Sequence, residues 1–304
     1  MLIWVPLEPV AGVLAGLDGV TVAVVDTDAA AVLPESADEV EWYVPPVFPR
    51  DGALAALARM PRLRVVQSLT AGIDRLRPHM PEGVLLCNAR GVHDASTAEW
   101  VVAATLAAIR QFPFFHAEQA AGRWSTRFTG TLAGRTVLIV GYGSIGGAVE
   151  RRLAGFDVGI IRVAKTPREG VHPVSDLPAL LPRADVVILL APVTAETIGM
   201  ADAAFLAAMK DGALLVNAAR GTLVDTDALV AELAAGRLSA ALDVTDPEPL
   251  PAGHPLWSLP NALITPHEAG STGLSAMAAL DFLRAQVQRY LAGEPLVNVI
   301  TGEY

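Results

Sequence analysis

Positive charge is scarce in this chain, and so are thiols and long uninterrupted apolar runs. Lys and Arg number 22 against 32 Asp and Glu, a formal net charge of −10. A surface of that sign repels nucleic acid and anionic membranes, so neither is expected as a partner. A small anionic ligand would instead need a local cluster of cations or backbone N–H groups. The single cysteine, Cys87, excludes an intrachain disulfide and suits a reducing compartment. It sits in the apolar run VLLC and reads as core, not as a catalytic thiol. The longest uncharged run, Pro249 to His267, holds five prolines and cannot form a spanning helix. The start MLIWVPLEPV lacks a basic segment and carries Pro and Glu, so no secretory signal is expected. A cytoplasmic location follows from these readings. The histidines are scattered and no Cys/His cluster offers a metal site.

What is present is an Ala-rich chain of 304 residues, 52% hydrophobic and 18% charged, which suits one large or two ordinary globular domains. Short apolar runs alternate with helical stretches, the pattern of parallel α/β sheets. Strands are predicted near 2–5, 20–25, 40–44, 63–69 and 84–87, with helices near 9–16 and 51–59. A long helical stretch begins at Ser96 and runs to Phe112. A second series of strands follows at 136–140, 157–163, 185–191, 212–217, 238–244 and 261–266, then a helix over 271–292. The expected division is a nucleotide-binding domain over 100–285 and a second domain built from 1–99 with 286–304. Two such domains leave a cleft, where ligands usually bind.

TVLIVGYGSIGGAV places Gly141, Gly143 and Gly146 in G-x-G-x-x-G spacing between an apolar strand and a helix. That context is what a dinucleotide turn requires. Gly141 permits the tight turn, Gly143 lets backbone approach a pyrophosphate, and Gly146 packs helix on sheet. The N–H groups of Ser144 and Ile145 at the helix start then face the anion. About 20 residues on, an acidic residue would hold the ribose 2′-hydroxyl of NAD. That place falls on Arg162, with Lys165 and Arg168 close behind. Cations there pair with a 2′-phosphate, so NADP(H) is expected to be preferred, with NAD(H) as the second choice.

Several ordered blocks together resemble the D-isomer-specific 2-hydroxyacid dehydrogenases, over about residues 65–299. QSLTAGIDRL resembles the family's substrate loop, and LAGRTVLIVGYGSIGGAV its dinucleotide turn. LLAPVTAETIGM resembles the segment after the fourth nucleotide-domain strand. VNAARGTLVDTDALVAEL, ALDVTDPEPLPAGHPLW and NALITPHEAGST resemble its three catalytic blocks. The first 60 residues carry little of this signal. The resemblance implies two doubly wound parallel-sheet domains, a Rossmann domain and a flavodoxin-like substrate domain, and a homodimer. It also implies Arg220, Glu248 and His267 as the catalytic set. Asp243 and the backbone near Ala218 would hold the nicotinamide and its ribose, with Pro192 and Thr197 lining the cofactor site. The cations from Arg162 onward look most like the NADPH-using glyoxylate/hydroxypyruvate reductase branch.

Reduction of a 2-keto acid needs a carboxylate clamp, a hydride donor and a proton donor for the developing alkoxide. His267 suits the last role, because imidazole titrates near neutrality and the residue follows a strand end. Glu248, in DPEP, would favour imidazolium and keep that proton ready. Arg220 closes the run LLVNAAR behind two small alanines, where its guanidinium can take the substrate carboxylate and polarise the keto oxygen. Ala71 and Gly72 can present successive N–H groups to the other side of the carboxylate. Asp74 and Asn88 read as loop-bracing residues. Two other readings stand beside this one: the same scaffold acting on formate or phosphite, and a dinucleotide-sensing binding protein of the corepressor type.

Overall fold

Short Val-, Ile- and Leu-rich runs become parallel strands in both halves of the chain, because each is covered on two faces. The structure is a computed structural model describing every residue except Ala31, Glu303 and Tyr304. The chain divides into two units, one of Met1–His93 with Gly273–Tyr304 and one of Asp94–Thr272.

The first unit contains β1 (Leu2–Val5), α1 (Glu8–Gly12), β2 (Thr21–Val24), β3 (Val40–Tyr43), α2 (Asp51–Ala56), β4 (Val65–Gln67) and β5 (Leu85–Cys87). Its sheet is parallel in the order β2-β1-β3-β4-β5, the doubly wound flavodoxin-like order. Successive side chains enter opposite layers. Ile3 and Val5 join Trp42 on one face, while Trp4 joins Tyr43 on the other.

The second unit opens with α3 (Asp94–Ile109) and α4 (Phe112–Ala120), then β6 (Thr136–Val140), α5 (Ser144–Leu153), β7 (Gly159–Ala164) and β8 (His172–Pro173). There follow α6 (Leu177–Leu180), β9 (Val186–Leu189), α7 (Ala203–Ala208), β10 (Leu214–Asn217), α8 (Thr226–Ala234), β11 (Ser239–Leu242) and β12 (Ala262–Ile264). The seven strands are parallel in the order β12-β11-β10-β9-β6-β7-β8. Strand order therefore reverses between β6 and β9, the crevice where α/β sheets bind ligands. Val137 and Ile139 of β6 enter one apolar layer, Leu138 and Val140 the other.

Three details differ from the sequence expectation. The helix expected to run from Ser96 to Phe112 stops at Ile109, and Gln111 takes a left-handed φ of 52° before α4. The two-residue β8 carries too little pattern to be predicted. The last helix, α9 (Gly273–Leu291), lies wholly in the first unit, so the division expected at 285/286 would cut through it. Ala279, Leu283 and Val287, spaced four apart, pack into the layer of Ile3, Val5 and Trp42. Burial of Leu283 and Val287 contributes about 1.5–3 kcal/mol each. Gln286 binds Gln67 Oε1 at 3.1 Å and the Val297 carbonyl at 2.9 Å, tying helix, sheet and C-terminal tail together.

Candidate active site

The turn after β6 assigns each glycine a separate task. Gly141 has φ +96°, and a Cβ there would lie 2.3 Å from the backbone nitrogen of Ala191. A Cβ on Gly146 would meet Gly141 O at 3.2 Å, so helix and turn are in close contact. Gly143, by contrast, has open space where its Cβ would be. A tight turn, an unobstructed N-cap and a packed helix suit a pyrophosphate at the start of α5, where Ser144 and Ile145 stand. Pro192 and Thr197 come together after β9, with Thr197 Oγ1 donating to Pro192 O at 2.7 Å.

The place of Arg162 within the expected strand holds, but its side chain meets a partner that the sequence reading did not foresee. β7 faces β6 through Val163, with Ile139 opposite Arg162 and Val140 opposite Val163, and Ala164 pairs with Pro173 of β8. Arg162 is therefore inside the strand, and its guanidinium is taken by Glu150 of α5. Nε donates to Glu150 Oε2 at 2.8 Å, and Nη2 makes a second, shorter bond to Oε1. This pairing holds the Glu150 carboxyl below its ordinary range and raises the guanidinium. Beyond the strand end, Lys165 pairs with Glu196 at 3.0 Å and Arg168 Nη2 donates to Tyr142 O at 2.7 Å.

The other candidate residues follow three neighbouring strand ends of the second unit. After β10, buried Asn217 locks a short turn: its Nδ2 donates to Arg220 O at 2.9 Å, and Ala219 N donates to its Oδ1 at 3.1 Å. Ala218 N meets Leu189 O of β9 at 3.3 Å. Arg220 is half-buried, with Nη1 donating to Ala219 O at 2.7 Å. A Cβ on the next residue, Gly221, would come within 1.9 Å of Thr245 O. The Arg220 turn thus presses directly on the segment leaving β11.

After β11 stands Asp243, only 3% exposed. Its carboxylate accepts Thr265 Oγ1 at 2.6 Å and the N–H groups of Glu268 and Ala269 at 2.8 Å each. The sequence reading gave Asp243 to the nicotinamide and its ribose; the structure shows its carboxylate bracing the loop after β12. His267, on that loop, has a left-handed φ of 61°, a conformation costing about 1–3 kcal/mol. Its N–H donates to Asp243 O at 2.7 Å, which helps hold the conformation. From this position the ring Nδ1 reaches Glu248 Oε1 at 2.6 Å. A carboxylate can only accept, so Nδ1 carries the proton of that bond.

Ala71 and Gly72 lie in the first unit, after β4. Asn88 Nδ2 donates to Ala71 O at 2.8 Å and Thr70 Oγ1 to Gly72 O at 2.9 Å. The turn is therefore fixed through its carbonyls.

Comparison with known proteins shows the family. Residues 102–269 match the D-isomer specific 2-hydroxyacid dehydrogenase, NAD binding domain. The chain belongs to the D-isomer specific 2-hydroxyacid dehydrogenase family. It is 34% identical to a glyoxylate reductase from Thermofilum pendens over 80% of this chain and 74% of that protein. It is 35% identical to a D-3-phosphoglycerate dehydrogenase from Methanocaldococcus jannaschii over 79% of this chain, but it spans only 48% of that longer relative. Among solved structures, a family member from Xanthobacter autotrophicus in complex with NADPH and MES superposes with a TM-score of 0.82 at 30% identity. That match covers 99% of this chain and 97% of the other.

The family's sequence blocks point to Arg220, Glu248 and His267, but not to the residues that brace them. Asn217 reads as the polar end of a strand; Glu150, the partner of Arg162, reads as a solvated helix residue. Nothing in their spacing announces the partners they take in the fold.

Proposed function

We propose that this protein reduces small 2-keto acids of the glyoxylate or hydroxypyruvate type to 2-hydroxy acids, using NADP(H) in preference to NAD(H). The observation that carries the reading is the His267–Glu248 bond of 2.6 Å, one strand end away from Asp243 and two from Arg220. The bound nicotinamide would supply the hydride. Arg220 would hold the substrate carboxylate and polarise the keto oxygen, as a guanidinium fork does for planar anions. His267 Nε2 would donate a proton to the oxygen that becomes hydroxyl, while Glu248 keeps the ring oriented through Nδ1. In the oxidative direction the same nitrogen would accept that proton.

Lys165 and Arg168, beyond the end of β7, support the 2′-phosphate assignment now that Arg162 is engaged elsewhere. Asp243 would bear on the nicotinamide chiefly through the loop that it braces. Pro192, Thr197 and Ala218, at the carboxyl ends of β9 and β10, are assigned to the cofactor. Ala71 and Gly72 are assigned to a carboxylate on the strength of their small side chains and fixed turn. The deciding experiment is a panel of 2-keto acids assayed with NADPH and with NADH. Turnover confined to a phosphorylated keto acid, or faster turnover with NADH, would overturn the respective half of the assignment.

A homodimer is part of the same reading. Trp124 and Phe128, 98% and 105% exposed, follow α4 and are large apolar side chains that a second copy would cover. Light scattering on the intact protein and on Trp124→Glu tests this; a monomeric parent protein would exclude it. No helix among the described residues is long and apolar enough to cross a membrane, and we assign the protein to the cytoplasm on the sequence grounds given above.

A further inference from the structure

Four side chains make one connected cluster beside the dinucleotide turn. Glu150, in the second turn of α5, takes both guanidinium bonds of Arg162 and also accepts the Tyr142 hydroxyl at 2.5 Å. Tyr142 stands between Gly141 and Gly143, so the cluster reaches the phosphate turn itself. Its ring lies against two guanidinium groups, Arg162 Cζ at 5.7 Å and Arg168 Cζ at 5.5 Å from the centroid. Arg168 then closes the group by donating to Tyr142 O.

We propose that Glu150 is a specificity-determining residue, which limits the preference for a 2′-phosphorylated dinucleotide by holding Arg162 on α5 and leaving 2′-phosphate recognition to Lys165 and Arg168. The inference rests on the NADP(H) reading above. A bidentate Arg–carboxylate pair presents little net charge to a third ion, so Arg162 adds little to the field at the strand end. Freeing Arg162 would strand the carboxylate of Glu150, whose side chain is 24% exposed. Lys165 and its partner Glu196 are 55% and 67% exposed, and such a surface pair exchanges partners at little cost. Arg168 is already fixed near the first glycine by the Tyr142 carbonyl. Three cations follow one another in sequence, yet Glu150 withdraws one of them.

The test measures, by calorimetry, the dissociation constants of 2′,5′-ADP and 5′-AMP, which differ only in the 2′-phosphate and need no turnover. The quantity read is the ratio of the two affinities in each variant. Glu150→Gln is expected to raise the preference for 2′,5′-ADP about 10-fold, the value of one charge-assisted contact. Arg162→Met in the parent protein is expected to change the ratio by less than about 2-fold, and Arg168→Met to lower it about 10-fold. Adding Arg162→Met to Glu150→Gln should remove the gain, because the released guanidinium is its source. An unchanged or lowered ratio in Glu150→Gln would overturn the proposal. So would an Arg162→Met loss as large as that of Arg168→Met, since it would put Arg162 on the phosphate directly. Should the Gln variant not fold, Glu150→Asp retracts the carboxylate by one methylene and must move the ratio in the same direction. A parent protein that binds both nucleotides equally would end the NADP(H) reading, while the change on substituting Glu150 still reports on this residue.

Discussion

Nδ1 of His267 lies 2.6 Å from Oε1 of Glu248, across 19 residues of chain, and the pairing requires a left-handed backbone at the histidine. The peptide groups of Asp243 and His267 hold that backbone, and the carboxylate of Asp243 braces the next two residues. Orientation of the ring and stability of the loop therefore depend on different carboxylates.

Glu248→Gln keeps the shape of the side chain and loses its charge. Steady-state reduction should show kcat lowered about 10²-fold, the low end of what a positioned general acid contributes. Thermal melting should stay near that of the parent protein, since both side chains are partly exposed. A kcat equal to that of the parent protein would count against the dyad.

Asp243→Ala should behave in the opposite way. It leaves two backbone N–H groups and the Thr265 hydroxyl without their acceptor in a buried position. A loss of about 2–4 kcal/mol in denaturant unfolding is expected, together with loss of activity. Parent-like stability would show that the loop finds other partners.

Arg220→Lys preserves charge but not the planar fork. The expected outcome is a fall in kcat/KM of about 10²- to 10³-fold with little change in melting temperature. Near-parental kinetics in this variant would remove Arg220 from the carboxylate-binding role.

Gly221→Ala tests the contact between the β10 and β11 turns. The added methyl would lie 1.9 Å from Thr245 O, so the backbone must shift. Activity should fall sharply although the residue carries no functional group. Full activity would show that this close approach does not matter for the site.

Glu150 gives a pH-dependent signature of its own. The Arg162 guanidinium lowers its carboxyl below the ordinary value, with burial opposing. Its contribution to stability is therefore present above the ordinary glutamate range of about 4.3 and is lost as pH falls through the lowered value. The melting-temperature advantage of the parent protein over Glu150→Gln should be largest at neutral pH and shrink in acid. A difference constant from pH 7 to 3 would mean that the pair does not couple to folding.

Period and spacing made much of this architecture readable before any coordinates. Buried parallel strands need apolar residues on both faces, so TVLIV, DVVILL and ALLVN announce themselves. The left-handed φ of Gly141 is a local demand that glycine meets, and the spacing of the dinucleotide turn is written within six residues. Arg220, Glu248 and His267 stand in sequence blocks whose order is legible. Long-range pairing was not legible. Arg162 reads as a cation for a 2′-phosphate, and nothing in its block foretells that α5 brings Glu150 within bonding distance. Asp243 reads as a cofactor contact, and nothing in its block foretells that the Thr265–Ala269 loop folds onto its carboxylate. Residues 273–285 read as part of the nucleotide domain, until the apolar stripe of their helix finds the sheet of the first unit. Local sterics and periodicity act over a few residues and are carried by the sequence itself. Which charge meets which partner, and which sheet receives a helix, is set by contacts between distant segments that exist only once the chain has folded.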